Sequence, residues 1–463
     1  MSVHHTESQP LAQLCAHVQD SWETEVVPTL PPDLDAQAHA LHAFQRIRGI
    51  RCPSDLLRAL PAFVLFGMST RHWGAWAVLI GLADISEAAW RTRLTRSAAW
   101  LGWMLTASMQ HPLPTPPDLP AQRGRRVLGV DATRLAQTGG TGDDWRIHTA
   151  YELIAGQLAE VVLTDQTEGE HLDHFTLQAD DIVVADGGSG YRRNGAAVRQ
   201  HDADAILRIH PATFPVTDAR GTPIDVIAWL RQRRLGDTRQ RRVSCWYRKQ
   251  RYAVRLVAQR LPADAARAAR RRKWLAARKQ GRTITRVTLI VAGWVLLVTT
   301  LPATAWPPAD VLRLYRARWQ AELLYKRMKQ ILDAHTIRAR TARAAEATVR
   351  ALLLAWVLQE RTSHELRTIL ATIQTAATTD DPVPDESAPT PVWLSSWLLA
   401  TVSIHTLRQQ VGGTWTAARL RSCVPRLARF LCTRRRRRQQ ETDTRRWLID
   451  RLARTLHPQC AAA

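Results

Sequence analysis

Leu314-Tyr-Arg-Ala-Arg-Trp-Gln-Ala-Glu-Leu-Leu-Tyr-Lys-Arg-Met-Lys329 is the most informative stretch of this chain. Read as one helix at about 100° per residue, it places Tyr315, Arg318, Glu322 and Lys329 within a sector of roughly 60°. A neighbouring apolar stripe predicts packing on a core, and it consists of Val311, Leu314, Ala321, Leu324, Met328 and Ile331. The pattern therefore predicts a carboxylate at the rim of a core-packed helix, between an aromatic ring and two cations.

A carboxylate among cations suits metal and phosphate chemistry. The carboxylate of Glu322 would ligate a divalent cation while Arg318 and Lys329 hold phosphates. The alternative is a solvated helix face with ion pairs four residues apart, such as Arg318 with Glu322. The helical pattern alone leaves both interpretations open.

The spacing Tyr-x2-Arg-x3-Glu-x6-Lys resembles the signature around the last acidic residue in bacterial transposases of the "insertion sequence four" family. Trp319, directly after Arg318, also looks like several members. These are cut-and-paste enzymes with two aspartates and one glutamate on a ribonuclease-H-like core. The resemblance therefore implies an α/β fold with a mixed sheet, and two catalytic aspartates upstream, each on or just after a buried strand.

Two acids upstream fit that expectation. Arg126-Val-Leu-Gly-Val-Asp131 reads as a central strand that ends in an acid. Asp181-Ile-Val-Val-Ala-Asp186 repeats this form before a Gly-Gly-Ser-Gly run, which separates the Asp from Tyr191 more widely than the family pattern usually does. Each Asp alone could be a structural cap, and Asp180, Asp181 and Asp202 are local rivals of Asp186. With the resemblance, we assign Asp131, Asp186 and Glu322 as the catalytic and metal-ligating triad.

Charge and composition favour a nucleic-acid partner. The 463 residues carry a formal net charge of +23, and such a field attracts polyanions. The apolar content of 45% implies real cores, which disfavours a ribosomal or chromatin-like protein. The six cysteines show no metal-ligand spacing, so a zinc site or a disulfide framework is not expected.

No membrane segment is expected. Residues 1–30 are polar and acidic, unlike a signal peptide. The longest apolar run, Val287 to Leu301, is too short to span a bilayer. We expect a soluble, cytoplasmic protein that works at the bacterial nucleoid.

The chain divides into five sections by pattern and resemblance. We expect an α/β, ribonuclease-H-like mixed sheet core with a β-rich insertion, plus helical N-terminal and C-terminal regions. The sections are 1–110 (helical, DNA-binding), 123–210 (first part of the core), 211–300 (β-rich insertion with a basic helix), 301–376 (second part of the core, with the Glu helix) and 392–463 (helical and basic). Pro-rich linkers are predicted at 111–120 and 378–391, and the arginine run 434–438 is either a nonspecific DNA contact or an idle tail.

Two further DNA contacts are predicted outside the Glu helix. A helix that starts at a Ser cap near Ser86 and carries Arg91 and Arg93 could belong to a helix-turn-helix, although an ordinary amphipathic helix fits nearly as well. Trp294 looks like the family's Trp-bearing strand, where the indole can stack on an extruded base. Because the chain has 18 Trp residues, a core position is the alternative for Trp294.

The resemblance implies a DNA transposase that cuts and joins insertion-sequence ends by metal-dependent phosphoryl transfer. Two Mg²⁺ (or Mn²⁺) ions would be held by the three acids. Arg318 and Lys329 would clamp phosphates, and Tyr315 and Trp319 would pack nearby. The implied partners are double-stranded DNA, as terminal inverted repeats and as target, and a second copy in a homodimer.

Two alternatives remain at this stage. The first is a catalytically inactive, transposase-derived DNA-binding protein. The presence of all three acids argues against this alternative. The second is a general DDE nuclease, which would lack an N-terminal region for binding element ends.

Overall fold

The structure is a computed structural model, and it describes most of the chain. The described residues are 22–110, 125–140, 144–232, 237–334, 336–339, 341–379, 393–413, 432–433 and 443–452. Across these ranges, no helix has the length and apolar character needed to cross a membrane. The two predicted Pro-rich linkers (apart from 378 and 379) and the arginine run 434–438 lie outside them.

A mixed β-sheet forms the centre of the fold. Its strands are β1 (Val127–Gln137), β2 (Trp145–Glu152), β3 (Gln157–Asp165), β4 (Ile182–Ala185), β5 (Asp204–Arg208), β6 (Thr238–Tyr247), β7 (Gln250–Arg260), β8 (Trp294–Thr299) and β9 (Thr336–Ile337). Eight of them lie side by side in the order β3-β2-β1-β4-β5-β8-β7-β6, and β9 pairs with the carboxyl end of β1. A separate pair joins β10 (Trp393–Leu394) to β11 (Cys432–Thr433).

Helices cover the sheet and form the N-terminal section. They are α1 (Leu34–Ala40), α2 (Pro53–Leu65), α3 (Thr70–Leu79), α4 (Glu87–Arg96), α5 (Ala98–Met109), α6 (Arg192–Gln200), α7 (Val226–Arg231), α8 (Ala263–Lys279), α9 (Arg286–Val291), α10 (Pro308–Ala317), α11 (Trp319–Ile331), α12 (Ala342–Thr379) and α13 (Ser396–Gly412). Residues 443–452 are also helical. The predicted long helix from Ala342 is α12, and its buried middle joins one continuous core with the N-terminal helices and one face of the sheet.

The predicted order of strands and helices in the core is confirmed. Three antiparallel strands lead into β4, α6 and β5, and β4 is parallel to both β1 and β5. This α/β arrangement is the expected ribonuclease-H-like core. The predicted arginine-rich hairpin is β6–β7, and β8 returns the chain to the core by pairing antiparallel with β5. The strands of the insertion therefore extend the central sheet.

The expectation that the first strand ends at Asp131 is wrong. Strand β1 continues to Gln137, because residues from Asp131 to Leu135 keep their pairing with β2 after β4 has ended. Asp131 consequently lies inside a strand, at the point where one neighbour of that strand stops.

The expectation of one continuous helix from Leu314 to Lys329 is also wrong. Helices α10 and α11 meet at Arg318, whose N–H donates to the Tyr315 main-chain oxygen three residues back, at 3.3 Å. The backbone of Arg318 stays in the right-handed helical region, with φ −54° and ψ −27°, so the interruption is one tight turn. No Gly or Pro marks this turn, which explains why periodicity missed it. The predicted apolar stripe is buried nevertheless, apart from the half-buried Ile331.

Helix α11, which we call the glutamate helix, is fixed across β1 and β2 by a buried tyrosine. The Tyr325 hydroxyl donates to the main-chain oxygens of Asp131 at 2.9 Å and Ile147 at 3.1 Å, and accepts a hydrogen bond from the Thr149 hydroxyl at 2.8 Å. Burial, the largest cause, raises the pKa of Tyr325 well above its ordinary value, so the hydroxyl stays protonated and can donate. This contact sets the position of the helix relative to Asp131.

We expect Tyr325→Phe to lower the free energy of unfolding by about 1–3 kcal/mol, because it leaves the buried Thr149 hydroxyl without its acceptor. Urea denaturation followed by tryptophan fluorescence measures the change. Tyr191→Phe is the matched control, since Tyr191 is 46% exposed and should tolerate loss of its hydroxyl. Equal stability of the two variants would contradict the role given to the Tyr325 hydroxyl.

Candidate active site

Asp131 and Asp186 lie on adjacent parallel strands. The last paired residues of β1 and β4 are Val130 and Ala185, and each acid comes directly after its paired residue. We call the edge of the sheet where β4 and β5 end the acid edge. Because the parallel strands reach this edge together, two acids 55 residues apart in sequence become neighbours.

The loop after Asp186 is held by its own backbone and by one buried amide. The Gly188 N–H donates to Asp186 Oδ1 at 2.8 Å, which orients that carboxylate. The Asn194 side chain is fully buried and donates to the main-chain oxygens of Ser189 and Glu170, both at 2.9 Å. Asn194 thus ties the Asp186 loop to the segment that precedes β4.

Arg318 links Glu322 to Asp131. Its Nη2 donates to Glu322 Oε1 at 2.5 Å, while Nη1 lies 3.7 Å from Asp131 Oδ2. The Glu322 side chain is 52% exposed, whereas those of Arg318 and Asp131 are 9% and 14% exposed. One guanidinium therefore lies between the first and last predicted acids, which are 191 residues apart in sequence.

The charges of Asp186 and Glu322 act on Asp131. The pKa of Asp131 is raised to about 7, first by burial and then by the negative charge of Asp186, with a smaller contribution from Glu322. Arg318 and the Ala132 N–H oppose this increase. Asp186 and Glu322 therefore both lie near enough to Asp131 for their charges to act on its carboxylate.

Comparison with known proteins agrees with this geometry. The family model described as "Transposase DDE domain" matches residues 122–358, a range that contains all three acids. The transposase for insertion sequence element IS421 of Escherichia coli is 33% identical over 332 residues, which cover 70% of this chain and 89% of that protein. InsL, named as a transposase for insertion sequence element IS186A in Escherichia coli K12, is 33% identical over 331 residues with the same coverage.

The chain belongs to the DDE transposase family.

It follows that the protein is an enzyme of DNA transposition that binds DNA and uses divalent metal. The relatives are insertion-sequence transposases, as the resemblance implied. The ribonuclease-H-like fold predicted from the sequence is the fold of this transposase domain.

The donor chemistry of the transposase site fits a hard divalent cation. Its predicted ligands are all carboxylate oxygens, the set preferred by Mg²⁺ and Mn²⁺. The raised pKa of Asp131 shows that Arg318 alone does not offset the burial and repulsion that this carboxylate experiences. Within the described ranges, no group of three Asp, Glu, His or Cys side chains is arranged to hold a metal ion. The Glu322 carboxylate instead contacts Arg318.

A fourth acid, Glu170, lies beside the Asp186 loop, and it was not among the predicted site residues. A Cβ at Gly188 would collide with the Glu170 carboxylate, so the glycine leaves room for the acid. Burial and the charge of Asp186 raise the pKa of Glu170, while Arg146 and Arg134 lower it. Glu170 lies before β4 in an irregular segment, where no periodicity points to a site.

The other residues predicted around Glu322 are held mainly by the protein itself. Tyr315 is 8% exposed and packs under Arg318, whose guanidinium carbon is 5.7 Å from the ring centre. The Lys329 Nζ donates to the Arg134 main-chain oxygen at 3.1 Å. Arg318 is buried, and its guanidinium faces Glu322 and Asp131. Trp319, at 36% exposed, reaches the surface.

Trp294 is 7% exposed and occupies the core position given as its alternative. It begins β8, and the Arg239 guanidinium carbon lies 4.7 Å from its ring centre. An indole enclosed in this way offers no free face to a base, so we leave Trp294 out of the DNA contacts proposed below.

The predicted helix with the Ser cap is α4. The Ser86 hydroxyl accepts the Ala89 N–H at 3.2 Å, which confirms the cap. Arg91 is exposed and pairs with Glu87, whereas Arg93 packs over the ring of Phe44. Arg91 is thus the more accessible of the two predicted cations.

The rivals of Asp186 lie at the opposite end of β4. Asp181 is 2% exposed and pairs with Arg126 at 2.6 Å, next to the start of the strand. Asp180 and Asp202 are joined there by a hydrogen bond from the Asp180 N–H to the Asp202 main-chain oxygen. None of these three reaches the acid edge.

We expect Gly190→Ala to displace the Asp186 loop and to reduce DNA cleavage, because a Cβ at Gly190 would collide with the main-chain oxygen of Arg208. Gly187→Ala is the matched control in the same loop, since its Cβ meets no atom within 4 Å. Cleavage rates and melting temperatures of both variants would be measured. A Gly190→Ala enzyme as active and stable as Gly187→Ala would contradict the close approach seen here.

Proposed function

We propose that Asp131, Asp186 and Glu322 are the catalytic acids with which this transposase cuts and joins DNA at the terminal inverted repeats of its insertion sequence. The observation that carries the proposal is the pair of contacts by which Arg318 bridges Asp131 and Glu322, together with the position of Asp186 directly after the strand next to that of Asp131. Acids drawn from two strands and one helix, within the matched family domain, support a shared role in metal binding.

The proposed metal is Mg²⁺ (or Mn²⁺), as two ions held by the three acids. Bound ions of this kind activate water or a DNA 3′-hydroxyl for attack on a phosphodiester and stabilise the leaving oxygen. The chain itself fixes the ligands: the Gly188 N–H orients Asp186, and Tyr325 holds the glutamate helix against the backbone of Asp131. Arg318, packed on Tyr315, limits repulsion between Glu322 and Asp131 before metal enters.

The proposed DNA partners are the element ends and the target, bound by a homodimer at the bacterial nucleoid. Trp319 and Arg91 are the best exposed of the predicted contact residues. Lys329, fixed on the backbone of β1, would contribute positive charge near the site. The N-terminal helices, which share a core with the catalytic sheet, would place the bound end relative to the acids.

We expect Asp131→Asn, Asp186→Asn and Glu322→Gln each to abolish cleavage of an element-end duplex while DNA binding persists. Each change removes a negative charge that the metal needs and leaves the volume of the side chain almost unchanged. Stabilisation by Mg²⁺ or Mn²⁺, measured as the increase in melting temperature on adding metal, should also be lost.

Asp202→Asn is the control for these three variants. Asp202 is an exposed acid at the opposite end of β4, and Asn tolerates its left-handed backbone, with φ of 52°. It should cleave DNA and respond to metal as the wild type does. Near-normal cleavage by any one triad variant would remove that residue from the proposal, and loss of DNA binding in all three would point to misfolding.

We expect the DNA affinity to fall steeply with salt, because a chain with a net charge of +23 displaces many counterions from the phosphates it contacts. Fluorescence anisotropy with a labelled duplex between low and moderate salt measures the slope. A log–log slope near zero would exclude binding dominated by phosphate contacts.

A further inference from the structure

Helix α8, which we call the arginine helix, buries little of its surface against the part of the chain that the structure describes. Its residues include seven Arg or Lys and one Asp. Only Ala266 is buried, and the large apolar side chains Trp274 and Leu275 are 48% and 47% exposed. A helix of 17 residues with so little burial gains little stability from packing. Its exposed cations and apolar side chains therefore suggest an interaction with another molecule.

The arginine helix has two unlike faces. Ala266, Ala269 and Ala277 lie on one side and are the residues least exposed to solvent. The opposite side carries Arg267, Arg271, Arg272, Trp274, Leu275, Arg278 and Lys279, all exposed. We call this set the arginine face.

The helix is hydrogen-bonded to its neighbour, helix α9. The Arg270 Nε donates to the Leu289 main-chain oxygen of α9 at 3.1 Å, on the side away from the arginine face. On the arginine face itself, the guanidinium carbon of Arg278 lies 5.6 Å from the ring centre of Trp274, which orients that cation.

Strand topology places the start of the arginine helix at the acid edge. Strand β8 runs antiparallel to β5, with Arg208 opposite Leu297, so β8 begins where β5 ends. Strand β7 ends with Arg260 opposite Trp294, and therefore ends at the same edge. The connection from β7 to β8, which contains α8 and α9, thus leaves and re-enters the sheet on the side that carries Asp186.

Lys273 of the arginine helix lies near that edge. The charge of Lys273 reaches His210, just beyond β5, where burial first and Lys273 second lower the pKa of the imidazole. The neighbouring Thr213 hydroxyl donates to the main-chain oxygen of Gly190, in the Asp186 loop, at 3.4 Å. The arginine helix and the Asp186 loop therefore both approach the segment from His210 to Thr213.

We propose that the arginine face binds the phosphate backbone of the element-end duplex while that duplex is being cleaved. The inference rests on the proposed function, because it takes the acid edge as the site of cleavage. Arginine contacts phosphate in a bidentate, weakly hydrated way, and a row of such cations along a helix follows a DNA backbone. Because the arginine face lies on the same edge of the sheet as the acids, it would hold the element-end duplex that these acids cleave. This binding would precede the arrival of target DNA.

The test uses the full chain carrying Asp186→Asn, so that binding is read without cleavage. Arg271→Gln, Arg272→Gln and Arg278→Gln would be made singly and together, since Gln keeps helix propensity close to that of Arg. Arg199→Gln is the matched control, because Arg199 is partly exposed, at 41%, on helix α6 and pairs at 3.6 Å with Asp204, which begins β5 away from the acid edge. Melting temperatures would verify that each variant folds.

We expect each arginine-face variant to weaken binding of element-end and unrelated duplexes alike, and to reduce the salt slope by about 1 per residue removed. The same substitutions in the active enzyme should slow cleavage of an element end without target. An unchanged slope in the triple variant, or a loss no larger than in Arg199→Gln, would overturn the proposal.

Other outcomes separate this inference from the proposed function. Normal end binding and cleavage with loss of joining alone would assign the face to target DNA and overturn our proposal. Cleavage by Asp186→Asn would refute the catalytic assignment of Asp186. The DNA affinities of the arginine-face variants could still be compared in that case.

Discussion

The docking of the glutamate helix across β1 is the constraint on which the site depends. Glu322 comes 136 residues after Asp186, so no local structure can bring them together. The Tyr325 hydroxyl meets the backbone oxygens of both β1 and β2, and one of these oxygens belongs to Asp131 itself. The helix of the glutamate that we propose as catalytic is therefore positioned by a buried hydrogen bond to the main chain of Asp131.

The buried guanidinium of Arg318 offsets part of the electrostatic repulsion between these acids. Asp131 is nearly enclosed and lies near two further negative charges, which raises its pKa to about 7. Arg318 stays charged, because contacts with Tyr315, Glu322 and Asp131 more than offset the effect of burial on its pKa. The tight turn between α10 and α11 falls at this arginine, whose guanidinium reaches Glu322 and Asp131.

Much of the fold and the site could be predicted, because strands with buried apolar runs and acids at fixed spacings leave local patterns. The order of strands and helices along the core followed from such patterns, and the family resemblance grouped Asp131 and Asp186. The turn at Arg318 could not be predicted, since nothing in the local sequence breaks the helix there. Glu170 and Asn194 were missed for a related reason: their roles arise from contacts with the Asp186 loop, which periodicity does not report.

The strands of the insertion extend the central sheet, so the insertion remains connected with the edge that carries the acids. By pairing with β5, strand β8 continues the core and leaves the acid edge uncovered by strands. The hairpin β6–β7 then returns the chain to that edge at Arg260, where the arginine helix begins. Because the register of β7 with β8 fixes where this helix emerges, the ladder that completes the sheet also determines where its cations lie. The acids proposed as metal ligands and the cations proposed to bind phosphate are thus positioned by one continuous hydrogen-bonded framework.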